Sequence, residues 1–431
     1  MSTGRVYRGT LVVTATALAL NALATFAQGR YLGSEARGVI AAIYNVPNLA
    51  FIVGSFGLTN AAGYFAGRDP RHAGGVSTTL AVVLLAWSIP FTLAIYLLLP
   101  HLLASQSRQT VELASIFLLS VPLQFVGNIP LAALQGTGRM AEWNVLRLLA
   151  PASLFAVTLL ALKLPGNPLR NLVQMHLVTI GVLVTISWIV AALRFPRPFV
   201  PCFGRLPEMI KFGIPAGLTT LPAQLNLRVD QVVMAVVVPA QVLGVYSLSV
   251  AWAALVVPVF AAMGQVLFPR LVAQSDGGEQ RRSIAHSSQH ALGIGLLAAC
   301  SLATCSYWLL PLIFGEIFRE HFLTVVALIV ANVFAGMNQL LGDAFRGLGE
   351  TRPPMWAEGT GFVVTAATLV PLVRAYGATG AAAVSVVAYG ATTIVLLASF
   401  ARLHGLTPSV LMRPKLPLDR FRASKAARNV A

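Results

Sequence analysis

Acidic residues are scarce in this chain: 14 Asp and Glu among 431 residues, against 30 Lys and Arg. Charged residues of both signs make up only 10%, where a soluble domain averages about 25%. Cysteine is nearly absent too. Cys202 lies in a connecting stretch, Cys300 and Cys305 in an apolar one, and none has metal-motif or redox-motif spacing, so no disulfide framework is expected. The histidines are scattered and form no HExxH. No lysine completes a phosphate-binding loop, so no nucleotide, metal or other cofactor is expected. No Ser-His-Asp set or carboxylate pair sits on an extramembrane stretch. These absences exclude a soluble enzyme, a nucleic-acid-binding module, a disordered chain and a collagen-like fibre.

What is there is apolar. Hydrophobic residues make up 57% of the chain, and mean hydropathy is +0.77. The apolar runs are too long for barrel strands, which alternate in polarity. In lipid every backbone N–H and C=O must be paired within its own segment, so the chain is expected to be an all-α polytopic membrane protein. At about 20 residues per crossing, twelve spans are predicted near 9–29, 39–66, 76–99, 112–135, 143–163, 169–193, 209–236, 242–268, 289–313, 322–345, 355–374 and 378–401. The first follows Arg5 and Arg8, as in a signal peptide, but the internal repeat described below needs it in the mature fold.

The net charge of +16 follows from orientation and needs no nucleic-acid partner. With a cytoplasmic N-terminus, the outer connections hold only Arg30, Arg37, Arg108, Lys163, Arg170, Arg319 and Arg374. Arg228 falls inside a span, and every other cation lies on the cytoplasmic side. Both termini are therefore expected on the cytoplasmic side of the membrane. A proline-rich stretch, RFPRPFVPCFGRLP, joins spans six and seven and cannot form a continuous helix. Two six-helix lobes are expected, 1–200 and 201–402, followed by a basic tail, 403–431, lying against anionic lipid.

The two halves repeat. Gly38, after span one, aligns with Gly244, after span seven; Gly136 and Gly138 align with Gly347 and Gly349 at nearly the same separation. Each half starts in the cytoplasm, so the halves are expected to be parallel repeats about an axis along the membrane normal, with substrate between them.

An ionisable residue in a span is a functional candidate by default. Span seven carries Gln224, Asn226, Arg228, Asp230 and Gln231. On a continuous helix Gln224, Arg228 and Gln231 share one side, and Asn226 and Asp230 another. Polar groups on two sides suggest a water-filled cavity; a buried Arg228–Asp230 pair is the structural alternative. Pro215 and Pro222 are expected to loosen the first half of the span. Arg147 either snorkels to the interface or meets an anion, and Arg30 faces either a cavity mouth or lipid heads. Glu358 either binds a proton or caps a helix. Asp343 and Arg346 have the spacing of a local ion pair. His176 reads as a satisfied interior histidine or a proton relay. The span asparagines read as interhelical hydrogen-bond partners.

Three stretches carry a family resemblance: RYLGSEARGVIAAIY at Arg30–Tyr44, GLTNAAGYFAG at the end of span two, and the block from Lys211 to Ser249. Through them the chain resembles bacterial polysaccharide flippases of the Wzx type, within the multidrug/oligosaccharidyl-lipid/polysaccharide exporter superfamily. The resemblance implies two six-helix lobes in a V shape that rock to give alternating access. It also implies a lipid-pyrophosphate-linked oligosaccharide as cargo and no enzymatic activity. Asp230 matches the family's acidic residue of span seven; Arg228 matches no family motif. Peptidoglycan-precursor flippases look similar but usually have two further spans. The expected cargo-binding set is Arg228, Asp230, Arg147, Arg30 and Gln224; Asp230, Glu358 and Asp343 are candidates for a coupling proton or sodium ion. A monomer is expected. The alternatives are a multidrug/cation antiporter, which would want a more acidic cavity, and a polymerase or ligase acting on lipid-linked sugars, which would need a larger outer loop.

Overall fold

The computed structural model describes residues 3–415. The tail cations Arg420, Arg422, Lys425 and Arg428, expected to meet anionic lipid, lie outside the described residues. Among the described residues the fold is all-α, as expected. It has nine helices long and apolar enough to cross a membrane. Two of these are double crossings bent at a glycine, and one expected crossing, span seven, is too broken to qualify as a single helix. With those allowances, all twelve expected spans fall on helix.

The chain divides into two compact units, Met1–Leu248 and Ser249–Ala431. The first begins with α1 (Thr3–Gly54), which breaks at Gly33 (φ 86°, ψ 169°). Then come α2 (Leu58–Arg68), α3 (Ala73–Leu102), α4 (Arg108–Phe117), α5 (Ser120–Gly136), α6 (Met140–Ala161), α7 (Pro168–Arg194), α8 (Leu206–Asn226), α9 (Val229–Val237) and α10 (Ala240–Ala253), which carries the chain across the division. The first compact unit thus includes α8, α9 and the first part of α10. The physical reason is close packing through glycine. A Cβ on Gly217 would run into the backbone at Gly57, and one on Gly38 into that at Ala240 and Gly244. Without side chains there, α8 seats directly on the start of α2, and α10 on α1 just past its break at Gly33. The proline-rich connection is fastened to α3, since the Cys202 backbone N–H donates to Thr79 Oγ1 at 2.7 Å.

The second unit continues with α11 (Val257–Ala273), α12 (Gly277–Phe314), α13 (Ile317–Glu320), α14 (Phe322–Gly347), α15 (Arg352–His404) and α16 (Pro408–Leu411). α15 turns at Gly377 (φ 56°, ψ −130°). α14 is the core of this unit: Leu340, Leu341, Ala344 and Phe345 are fully buried, and Phe345 stacks on Phe400 of α15 at 3.9 Å. Peripheral helices are inside out relative to a soluble protein. On α7, Val178, Val182, Ile189 and Leu193 point outward, as lipid-facing residues must.

The expected repeat has a local counterpart in both units. After α5, Arg139 N–H donates to Leu134 O and Gly138 N–H to Gln135 O; after α14, Glu350 N–H donates to Phe345 O and Gly349 N–H to Arg346 O. Gly138 and Gly349 have matching left-handed torsions, φ 74° and 81°. This is a helix-ending turn that glycine enters without a Cβ penalty.

Candidate functional site

The site begins on the second half of α1. Arg37, Tyr44 and Asn48 are spaced by seven and four residues, which puts them on one helical stripe. Asn45, one position around, is buried and donates to Gln231 Oε1 of α9 at 2.8 Å. Arg37 was placed in an outer connection by the sequence reading. In fact helix resumes at once after Gly33, so Arg37 sits on the helix with its Nε buried and without a hydrogen-bond partner. The signal that finds it is the Arg37–Tyr44–Asn48 spacing, once the helix is known to start before Arg37.

Span seven is not continuous. α8 ends at Asn226 and α9 starts at Val229, with Arg228 at the junction (φ −136°, ψ −26°). The break resets the helical phase, and this corrects the expected grouping. Asn226, Asp230 and Gln231 are buried, whereas Gln224 and Arg228 are exposed. Gln231 therefore joins Asp230 and does not line up with Arg228. The prolines do not make the break either: α8 runs through Pro215 and Pro222, as transmembrane helices tolerate.

Asp230 is fully engaged. It accepts from Tyr246 Oη of α10 at 2.7 Å and from the Gln231 backbone N–H at 2.7 Å. No ion pair joins it to Arg228, so the buried Arg228–Asp230 pair is not formed. Arg37 and Arg228 lie near enough for their charges to repel, and neither has a carboxylate ion-pair partner among the described residues. The first unit thus holds two neighbouring guanidinium groups, one half-buried and one exposed at a helix break.

The remaining candidates are dispersed. Arg147 lies over the Trp143 ring, 4.3 Å from its centroid. Arg30 is exposed near the end of the first half of α1. Asp343 pairs with Arg346 at 2.6 Å, as the spacing predicted. Glu358 is half-buried in the second turn of α15. Outside the spans, Asp69 is held below the usual carboxylate range by its hydrogen bond to His72, assisted by Arg205. That cluster secures a connection.

A second polar group was not foreseen as a unit. Tyr44, Phe117 and His176 form an aromatic triangle, with Tyr44 4.6 Å from Phe117 and 4.7 Å from His176 between ring centroids. They border a cavity of about 290 Å³, also lined by Asn48, Gln124 and Asn128. The Tyr44 hydroxyl and His176 Nδ1 are buried without hydrogen-bond partners.

This architecture has solved counterparts. A lipid II flippase MurJ in an inward closed conformation is 15% identical and has a TM-score of 0.75, over 90% of this chain and 87% of that one. An inward-facing multidrug resistance MATE transporter of the MOP superfamily is 15% identical with a TM-score of 0.71, over 92% and 98%. A eukaryotic MATE transporter, AtDTX14, is 13% identical with a TM-score of 0.61, over 92% and 94%. The protein is therefore a multi-pass membrane protein with the fold of these flippase and exporter structures. No curated protein is similar enough in sequence to match. A model of the polysaccharide biosynthesis protein family does match, over residues 29–323, and the chain belongs to that family.

Proposed function

We propose that this protein is an alternating-access flippase that moves a lipid-pyrophosphate-linked oligosaccharide across a bacterial cytoplasmic membrane, with both termini in the cytoplasm. The observation that carries the reading is the Arg37–Arg228 neighbourhood. A guanidinium within a span costs several kcal/mol, as an order of magnitude, unless hydrated or paired. Neither forms an ion pair with a carboxylate among the described residues, although the Asp230 charge is felt at Arg228, and a pyrophosphate supplies forked acceptors of the right charge for both. Family membership supports a glycan as the remainder of the cargo. Gln224 is exposed like Arg228, and we assign Arg147 and Arg30 to the cargo route as additional positive charge.

The competing readings fare worse. A cation antiporter wants free carboxylates, yet Asp230 is held by Tyr246 and Asp343 by Arg346. A polymerase or ligase needs a loop able to house a reaction. The longest interhelical connection among the described residues is the 195–205 stretch, and it is fastened to α3.

The test is glycan export in cells lacking their own flippase, with membrane protein levels measured alongside. Arg228→Ala should abolish export at normal protein levels. Arg228→Lys should retain part of it, because charge survives while the fork does not. Normal export by Arg228→Ala, or failure of that variant to accumulate, overturns the assignment.

A further inference from the structure

In the second unit, α12 and α14 enclose an apolar groove of about 450 Å³. On α12 it is lined by Leu292, Leu296, Ala299 and Ala303, and on α14 by residues between Val326 and Met337. Both sets recur every three or four residues, so each forms one stripe of its helix. Each stripe covers eleven residue steps, about 16 Å at the α-helical rise. That is about half the hydrocarbon thickness of a bilayer, the depth of one leaflet.

The two ends of the groove differ. Met412 also lines it, and Met412 belongs to the C-terminal segment that is clamped to α12 just before Leu292. Gln289 Nε2 donates to Val410 O at 2.9 Å, and Lys415 N–H donates to Gln289 O at 3.0 Å. A Cβ on Gly293 would run into the Lys415 backbone. These contacts bring Arg413 and Lys415 to one end of the groove. Arg413 is exposed and Lys415 half-buried, and neither is in an ion pair with a carboxylate among the described residues. The lining itself carries no charged side chain.

We propose that this groove holds one acyl chain of an anionic glycerophospholipid, from the leaflet on the side of the C-terminus, with the lipid phosphate at Arg413 and Lys415. A groove that is cationic at one end and apolar along its length is the complement of such a lipid. Chain and head act differently. In a bilayer the alternative to the groove is other hydrocarbon, so the chain gains nothing by leaving water. It is retained because it fills a space that side chains leave open and packs against ordered walls. The phosphate supplies the selection. Cations at a membrane surface favour anionic lipid, and a guanidinium makes forked hydrogen bonds to phosphate oxygens. The end of the chain itself is a poor occupant. In 416–431, Asp419, Arg420, Arg422, Lys425 and Arg428 leave no apolar run of that length. A bound lipid would join the C-terminal segment to α12 and α14 at once.

The experiment uses the purified full chain in mild detergent. Dioleoyl phosphatidylglycerol is the probe, and dioleoyl phosphatidylcholine is the control with no net charge. Cys300 lines the groove, whereas Cys305 is exposed on the same helix outside the lining. Phosphatidylglycerol should slow alkylation of Cys300 by N-ethylmaleimide and leave Cys305 unchanged; phosphatidylcholine should slow neither. In the double variant Arg413→Gln/Lys415→Gln, about ten times more phosphatidylglycerol should be needed for the same protection. Native mass spectrometry should find one phosphatidylglycerol per monomer in wild type and none in Ala303→Phe, which fills the far end of the groove. Equal effects of the two lipids on Cys300, or an unchanged requirement in the double variant, overturns the proposal. So does protection by a polyprenyl phosphate at a lower concentration than phosphatidylglycerol, which would make the groove a seat for a cargo tail. The comparison of the two lipids needs no variant, so it decides the matter even if a variant fails to accumulate. No glycan is present, so failure of the cargo reading leaves the measurement intact.

Discussion

Two polar clusters lie on the second half of α1, and they are finished differently. In the first, Asn45 meets Gln231, and Asp230 meets both Tyr246 and a backbone N–H. In the second, Tyr44 and His176 touch as rings but leave a hydroxyl and a ring nitrogen without partners. One position along the helix separates the asparagine of the first from the tyrosine of the second. Burial is thus no guide to role here. A satisfied cluster fixes an arrangement, because breaking it exposes a desolvated group. In the second cluster, removing the Tyr44 hydroxyl breaks no hydrogen bond to the protein.

The contrast can be broken most severely at the seam beside the satisfied cluster. Gly38→Val places a branched side chain against the backbone at Ala240 and Gly244. Overpacking of that kind should cost about 3 kcal/mol, visible as a large fall in melting temperature in detergent. A melting temperature equal to wild type would mean that the seam is loose. A finer comparison pits two tyrosines against each other. Tyr246→Phe strips the buried Asp230 of its side-chain donor and should cost about 2 kcal/mol. Tyr44→Phe removes a hydroxyl that bonds to nothing and should leave stability unchanged or slightly higher. Equal losses in the two variants would erase the distinction between the clusters.

The smallest effect is a control in the second unit. Asp276 caps α12 by accepting from the Glu279 backbone N–H at 2.9 Å. That bond, with a second from Gly278, holds its carboxyl below the ordinary range. Its contribution is complete above the ordinary carboxylate pKa and disappears as pH falls through the lower folded value. Hydrogen exchange in the first turn of α12 should therefore speed up, relative to the intrinsic rate, only in strong acid. Asp276→Ala should show the faster rate already at neutral pH, with the α1 clusters unaffected.

Much of this architecture is written in the sequence, but unevenly. Long apolar runs mark the crossings because lipid demands closed backbone pairing, and the Gly136–Gly138 and Gly347–Gly349 pairs mark turns because glycine has a known backbone use. Asp230 and Arg228 stand out because charges are rare in spans. The break between Leu227 and Arg228 was not legible, since neither proline nor glycine lies there and tertiary contacts of Asn226, Asp230 and Gln231 set the phase. The prolines that do carry a bending signal, Pro215 and Pro222, sit within unbroken helix. Arg37 was hidden for a related reason: a charge close to a predicted helix end reads as loop until the position of the break is known. For His176 the sequence leaves two readings open, because whether a histidine is satisfied depends on neighbours far along the chain.

Gly38 and Gly244 carry one more consequence, for how such a gene can vary. In a two-fold dimer, a residue on the axis meets its own copy. Here two positions aligned by the repeat meet within a single chain. They are one steric slot with two addresses in the coding sequence. A side chain gained at either address needs room that only the other could yield, and glycine has none left to give. Lineages descended from this protein should therefore keep both glycines, or change the two together with a wider spacing between α1 and α10.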